Sequence, residues 1–386
     1  MSASNSFARA QLEVFLSGII KDMKRKGHVK DLLVPKSNHY ELAGILDLEG
    51  EGDGDLTCSV RRRSLQSTTS AKMFAQIIAI CGLVAELIDS NKEISLRDVY
   101  YALKHLFKTQ AECNSSILEV GMLLGLKRYD MNIVPSSKGL VAGPLRFKFN
   151  DAEGGTAAAR EKKGWSVCFE TDDENDGILI SSKWTSSNSE DIDLELSVAE
   201  TRYLIVVEKE GVFRRLVKEH FCRRVPCIMV TGCGFPDMAT RALVSKVSSR
   251  FPDLVAVGLC DYNPYGLALL LSYRFSSQAS AFEGSGLQTE ELKWLGLRSS
   301  QIDAMRNESS FDEASAFQQM SAADRAKVRA MLSSEIVTGM LPEEYEAELH
   351  AMLSGEVKCE LETLYSLGSN YMSDFLESAL QDGDYI

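Results

Sequence analysis

Tyrosine is a weak nucleophile in neutral water, because a side chain with a pKa near 10 is ionised in only about one copy in a thousand. The run Arg97-Asp98-Val99-Tyr100-Tyr101 carries a local remedy. Arg97 lies four positions before Tyr101, on the same helix face one turn away. From there a guanidinium can stabilise a phenolate and grip a phosphate oxygen. Tyr100 points about 100° aside and reads as a packing residue. Further along, Glu208-Lys209-Glu210 follows the apolar run Leu204 to Val207, and Asp261-Tyr262-Asn263 follows Leu254 to Leu259. Oxygens at the ends of buried strands are where α/β folds collect ligands. Glu208, Asp261 and Asn263 offer three oxygens to a hard cation such as Mg2+, with water completing the octahedron. Glu210 reads instead as a first-turn helix residue. The chemistry such a set supports is phosphoryl transfer onto a tyrosine oxygen, with a metal ion neutralising the transferring group.

A helix must hold the tyrosine and a sheet must hold the carboxylates. Ser95-Leu96-Arg97-Asp98 has the form of a capping box and predicts a helix running to about Phe107. Ahead of it, Phe74, Ile77, Ile78, Cys81, Leu83, Val84 and Leu87 recur at helical spacing within Ala71 to Ile88. After it, Ser115 or Ser116 is positioned to cap a third helix, Ile117 to Leu124, stopped at Gly125. An extended stretch with a turn follows, Asn132 to Val141, with Lys138 at the tip as a further cation for phosphate. Three short helices and a β ribbon have the shape of a winged helix-turn-helix. From Tyr203 the text alternates between short apolar runs (Leu204–Val207, Cys227–Val230, Leu254–Leu259) and helices (Asp237 to Ser249, Leu267 to Tyr273), which predicts βαβ units and a parallel sheet. Thr231-Gly232-Cys233-Gly234-Phe235-Pro236-Asp237 reads either as a loop that approaches phosphate or as a tight strand-to-helix connection.

The remaining segments are plainer. Residues 1–60 hold one helix, Ala8 to Lys26, and an acidic, glycine-rich loop, Leu46 to Leu56. Arg61-Arg62-Arg63 reads either as an exposed turn or as a contact for DNA or a targeting receptor. Residues 151–200 form an acidic, serine-rich connection with hairpin-like strands at Trp165 to Phe169 and Ile178 to Ile180. The residues from Thr289 onward read as helical and acidic, anchored by Trp294, Leu295 and Leu297. The expected architecture is thus a multidomain α+β and α/β chain. Its segments are a leader (1–60), a winged-helix unit with the tyrosine (61–150), a connection (151–200) and a sheet domain with a helical extension (201–386).

A net charge of −13 argues against a nucleic-acid partner only until it is divided. Residues 1–150 carry 20 Lys+Arg against 16 Asp+Glu, and the rest carry 22 against 39. Eight basic and four acidic residues lie between Arg97 and Lys148, and phosphate contact requires a local basic face rather than a basic protein. Nine scattered cysteines without a C-x-x-C pair read as reduced thiols, and no histidine stands at zinc-ligand spacing to them. No membrane span or signal peptide is expected.

Taken in order, SLRDVYYALKHLF, VPSSKGLVAGPL, IVVEKEGVFRRL, TGCGFPDMATR and DYNPYGLALLLSYRF resemble the A subunit of DNA topoisomerase VI. They resemble more closely its eukaryotic relative, the meiotic double-strand-break protein family, over about residues 60 to 300. The resemblance implies a winged-helix (CAP-like) domain bearing the tyrosine, followed by a Toprim, Rossmann-like domain. It implies a Mg2+-dependent transesterification in which each protomer uses one tyrosine to attack a DNA phosphate and form a 5′-phosphotyrosyl link. It also implies a homodimer on double-stranded DNA, in which the tyrosine of one protomer meets the metal site of the other. A topoisomerase VI B-like subunit, the meiotic break machinery and a nuclear, chromosomal setting are implied as well. By matching position the nucleophile is Tyr101, its helper Arg97, the metal ligands Glu208 and Asp261, and the lysine near DNA Lys138. Two positions depart from the pattern: Asn263 replaces the second aspartate of a D-x-D pair, and Cys233 replaces a lysine frequent in G-K-G-x-P-D. A topoisomerase VI A-type protein that reseals its breaks with an ATPase partner, and a non-catalytic DNA-binding paralogue, are the alternative readings.

Overall fold

The computed structural model describes residues 3–26, 31–35, 60–134, 137–149, 165–168, 177–185, 192–275, 286–308 and 312–386. The acidic loop expected at Leu46 to Leu56, and the acidic runs at 170–176 and 186–191, lie outside the described residues. Two hydrophobic cores organise the rest. One is built from residues between Ala8 and Ile133, the other from residues between Leu140 and Leu380.

The first core is helical. Helix α1 (Ala3–Lys26) packs against α2 (Thr68–Ser90), and strand β1 (Leu32–Pro35) pairs antiparallel with β2 (Val60–Arg63). The length and apolar text of α2 would suit a bilayer, but Phe74, Ile77, Ile80, Cys81, Val84, Leu87 and Ile88 are buried in this core. Arg61-Arg62-Arg63 is not an exposed turn. It forms β2, with Arg63 gripping buried Glu119 through two nitrogens and Arg62 facing Asp31. After the short strand β3 (Ile94–Ser95) comes α3 (Leu96–Ala102), capped as its sequence predicts: Ser95 Oγ accepts from Asp98 N, while the Asp98 carboxylate accepts from Ser95 N. It stops five residues short of the expected Phe107 and continues as a 3₁₀ turn, Lys104–Leu106. Helix α4 (Gln110–Leu124) starts earlier than expected, because Thr109 rather than a serine caps it, and ends at Gly125 in the left-handed region.

The expected ribbon at 132–141 is divided between the cores. Strand β4 (Ile133–Val134) makes a two-residue parallel pair with β3, whereas β5 (Leu140–Ala142) joins the large sheet. The physical reason is that Leu140, Val141 and Ala142 are all buried, so this strand needs a sheet covered on both faces. Strand β6 (Leu145–Phe149) pairs with β7 (Ser166–Val167) and, at the other edge, with β9 (Ile192–Leu196). Strand β8 (Ile178–Leu179) pairs with β5, so the two expected hairpin strands of the connection join different sheets. Residues 140–149, expected with the tyrosine unit, therefore pack in the second core.

That core is a six-stranded sheet in the order β13-β12-β10-β11-β5-β8. Strands β10 (Tyr203–Val207), β11 (Cys227–Thr231), β12 (Val255–Leu259) and β13 (Lys293–Gly296) run parallel. Helices α5 (Glu210–Lys218), α6 (Met238–Arg250) and α7 (Pro264–Arg274) follow β10, β11 and β12 in turn. Trp294, Leu295 and Leu297 are fully buried, but on a strand and its exit rather than on a helix. Beyond them the chain is mostly helical, with β14 (Phe317–Gln319) pairing antiparallel with β15 (Val357–Cys359), which brings residues 359–362 back to the end of β12. The result is a mixed α+β chain whose second half is built on a mixed sheet, with four parallel strands and β5 and β8 paired antiparallel at one edge.

Candidate active site

Strand order places the carboxylates. Successive parallel strands lie on opposite sides of β10, which makes its carboxyl end the switch point where such sheets open a crevice. The register sets Val207 opposite Leu259, so Glu208 and Cys260-Asp261 leave the sheet side by side. Glu208 N donates to Leu259 O (2.9 Å), and Asp261 N donates to Glu208 Oε2 (2.8 Å). A Cβ on Gly266 would lie 2.5 Å from Asp261 O and 3.2 Å from Glu208 Oε2, so only glycine lets α7 approach the pair this closely.

Burial, reinforced by the Asp261 charge, pushes the Glu208 carboxyl up to about 7. Burial also raises Asp261, against the pull of the Leu361 N–H and the Lys209 ammonium. Leu361 N donates to Asp261 Oδ1 (2.9 Å), and Lys209 Nζ stands 3.2 Å from Asp261 Oδ2. The same ammonium reaches Glu360 Oε2 (3.0 Å) and Glu362 Oε2 (2.6 Å). Sequence reasoning misses these two glutamates and Lys209, since Glu360 and Glu362 lie about 150 residues beyond Lys209.

Asn263, expected as a third oxygen for the cation, caps a helix. Its Oδ1 accepts from Tyr265 N (2.9 Å) and Gly266 N (2.8 Å), capping α7 directly ahead of Pro264. Among the described residues no three His, Cys, Asp or Glu side chains gather as a metal-binding group. The donors that fit a hard cation are Glu208 and Asp261: one half-buried and one buried carboxylate, adjacent and hard to ionise together without one.

Lys138 is not at the tip of a wing. Its backbone N–H donates to Asp237 Oδ2 (3.1 Å), its Nζ to Cys233 O (3.3 Å), and Cys233 Sγ donates to Lys138 O (3.1 Å). Gly139 packs where a Cβ would meet Thr240 Oγ1. The lysine therefore stands over the Thr231 to Asp237 loop, whose Gly234 N donates to Glu208 O (2.9 Å).

Tyr101 stands on the first core. Val99 anchors α3 from inside and Tyr100 packs against the same core, while Tyr101 is 54% exposed. Two cations flank its ring: the Arg97 guanidinium at 5.9 Å from the centroid and the Lys104 ammonium at 6.0 Å. In the sequence Lys104 is only one of several basic residues. The break after Ala102 swings it back over the ring.

Residues 203–380 match the Toprim domain of the family that unites the topoisomerase 6 A-subunit with Spo11, and residues 72–133 match the family of type IIB DNA topoisomerases. The class is that of topoisomerase-like, DNA-cleaving enzymes with a metal-binding Toprim domain. The meiotic recombination protein SPO11-2 of Arabidopsis thaliana is 30% identical over 335 residues, 86% of this chain and 80% of that protein. SPO11 of Mus musculus is 29% identical over 387 residues, covering 100% of this chain and 90% of its own length, and human SPO11 is 28% identical over 337 residues. The chain belongs to the family of Spo11 and the topoisomerase VI A-subunits.

Proposed function

We propose that the chain makes double-strand breaks in DNA at the start of meiotic recombination, with Tyr101 as nucleophile. Its oxygen attacks a backbone phosphorus. The bond formed is tyrosine oxygen to phosphorus, and the bond broken is phosphorus to the 3′ oxygen. The products are a 5′-phosphotyrosyl end and a 3′-hydroxyl that takes up the proton the phenol gave. The observation that carries this reading is the exposed Tyr101 ring with two cations near it, on a chain that also gathers Glu208 and Asp261 at a sheet switch point.

Arg97 and Lys104 are placed to stabilise negative charge in the transition state and to steer phosphate. Glu208 and Asp261 are the residues to hold Mg2+, which when bound neutralises charge on the transferring phosphoryl group. Asn263 serves through the helix it caps, and Lys138 with the loop at Cys233 is suited to a neighbouring phosphate. The α2–α4 unit is read as the winged-helix-type surface that docks on the duplex. Tyrosine and carboxylates stand in separate cores, which favours a homodimer where each tyrosine works with the other copy's carboxylates. A topoisomerase VI B-like subunit, the break machinery and a nuclear, chromosomal location complete the reading.

The test is recovery of the protein from meiotic cells and peptide mapping of any DNA bound to it. An oligonucleotide joined through its 5′ end to Tyr101, absent in Tyr101→Phe and retained in Tyr100→Phe, is expected. A link to another residue, or no link in cells whose breaks still form, refutes it.

A further inference from the structure

We propose that Lys209 is a resident counter-cation of the carboxylate site, so that the site takes one divalent ion rather than two. This rests on the reading of Glu208 and Asp261 as metal ligands. Lys209 Nζ lies 3.2 Å from Asp261 Oδ2, 3.0 Å from Glu360 Oε2 and 2.6 Å from Glu362 Oε2. An ammonium has three donors, and here each has its own carboxylate. The Lys209 side chain is only 24% exposed, and Asp261 is 7% exposed. Glu360 and Glu362 are about half exposed, so the contact that differs from a solvated surface pair is the one between Lys209 and Asp261.

The carboxylates do not depend on the lysine for their place. Tyr262 N donates to Cys359 O (2.8 Å) and Cys359 N to Tyr262 O (3.1 Å). Together with the bond from Leu361 N to Asp261 Oδ1, these bonds fix residues 359–362 against the end of β12. Backbone bonding thus holds Glu360 and Glu362 beside Asp261, and the like charges so gathered repel one another without a cation between them. A second divalent ion would be drawn to that point, and the ammonium already stands there. Asn263, neutral and committed to its helix cap, adds no charge to hold another.

The experiment is a Mn2+ titration of the full chain, by calorimetry and electron paramagnetic resonance, on wild type, Lys209→Met, Lys209→Arg and Glu208→Gln. Wild type and Lys209→Arg are expected to bind one Mn2+, Glu208→Gln to bind it at least tenfold more weakly, and Lys209→Met to bind two. Two spin-coupled Mn2+ ions in wild type overturn the proposal without any variant. Lys209→Met, folded by circular dichroism and still binding one ion with wild-type affinity, overturns it while the ligand reading stands. Binding that ignores Glu208→Gln overturns the ligand reading itself.

Discussion

Tyr101 must lose a proton that water lets it keep, and Glu208 must lose one that its burial favours. The two residues mark where charge control matters. At Tyr101 the proposed control is cationic, with the Arg97 guanidinium and the Lys104 ammonium each about 6 Å from the ring centroid. A cation over an exposed ring contributes about 0.5–1 kcal/mol, so Lys104→Ala is expected to lower the rate of covalent DNA capture about two- to fivefold. Arg97→Ala is expected to do the same, with DNA binding less affected than capture in either variant. Single-turnover capture on a defined duplex reads both, and a rate unchanged in Lys104→Ala removes it from the site. At Glu208 the sign is opposite. Its carboxyl lies at about 7 when folded against an ordinary 4.5, so its contribution to stability is full below the ordinary value and is lost as pH rises through about 7. Metal-free wild type should therefore melt at a lower temperature at pH 8 than at pH 5.5, and Glu208→Gln should lose much of that difference. A divalent ion must displace the same proton, so Mn2+ affinity is expected to fall about tenfold per pH unit below 7 and to level off above it. A flat calorimetric profile from pH 6 to 8 would contradict this.

Elements show why local signals succeed where they do. The capping box at Ser95 and the left-handed Gly125 both involve residues within a few positions of each other, and both boundaries follow directly from the text. Thr109 is harder to pick out, because two serines nearer the apolar face are equally able to cap. Asn263 is the clearest ambiguity, since one side chain at one position can be a ligand or a cap, and only the backbone path after Asp261 decides. As a cap, Asn263→Asp keeps the bonds to Tyr265 N and Gly266 N and places a negative charge at a helix N-terminus. It should therefore leave stability unchanged or slightly improved, whereas Asn263→Ala should cost about 1 kcal/mol in urea unfolding. If Asn263→Asp instead tightens Mn2+ binding about tenfold at constant stability, the residue is a ligand rather than a cap.

At the scale of the molecule, the second core closes on itself over long distances. Trp294 and Ile386 exchange backbone hydrogen bonds (2.7 and 3.1 Å), Tyr345 Oη donates to Ile386 O (3.2 Å), and the Arg298 guanidinium binds Asp384. Deleting residues 384–386 is expected to lower the melting temperature of this core by several degrees and to weaken Mn2+ binding, because residues 359–362 that hold Asp261 belong to the same packing. A truncated protein with an unchanged melting curve would separate the two. The arginine one turn before the tyrosine, the capped helix beneath it, the parallel strands and the carboxylates at their ends are all legible along the chain. Each of those is written in residues adjacent in the chain or one helical turn apart. Long-range packing instead sends β5 from the tyrosine unit to the sheet, sets Lys138 over Cys233, and brings Lys209 to glutamates about 150 residues away. Those choices depend on which distant surfaces can be buried together, and periodicity along the chain does not encode the partner.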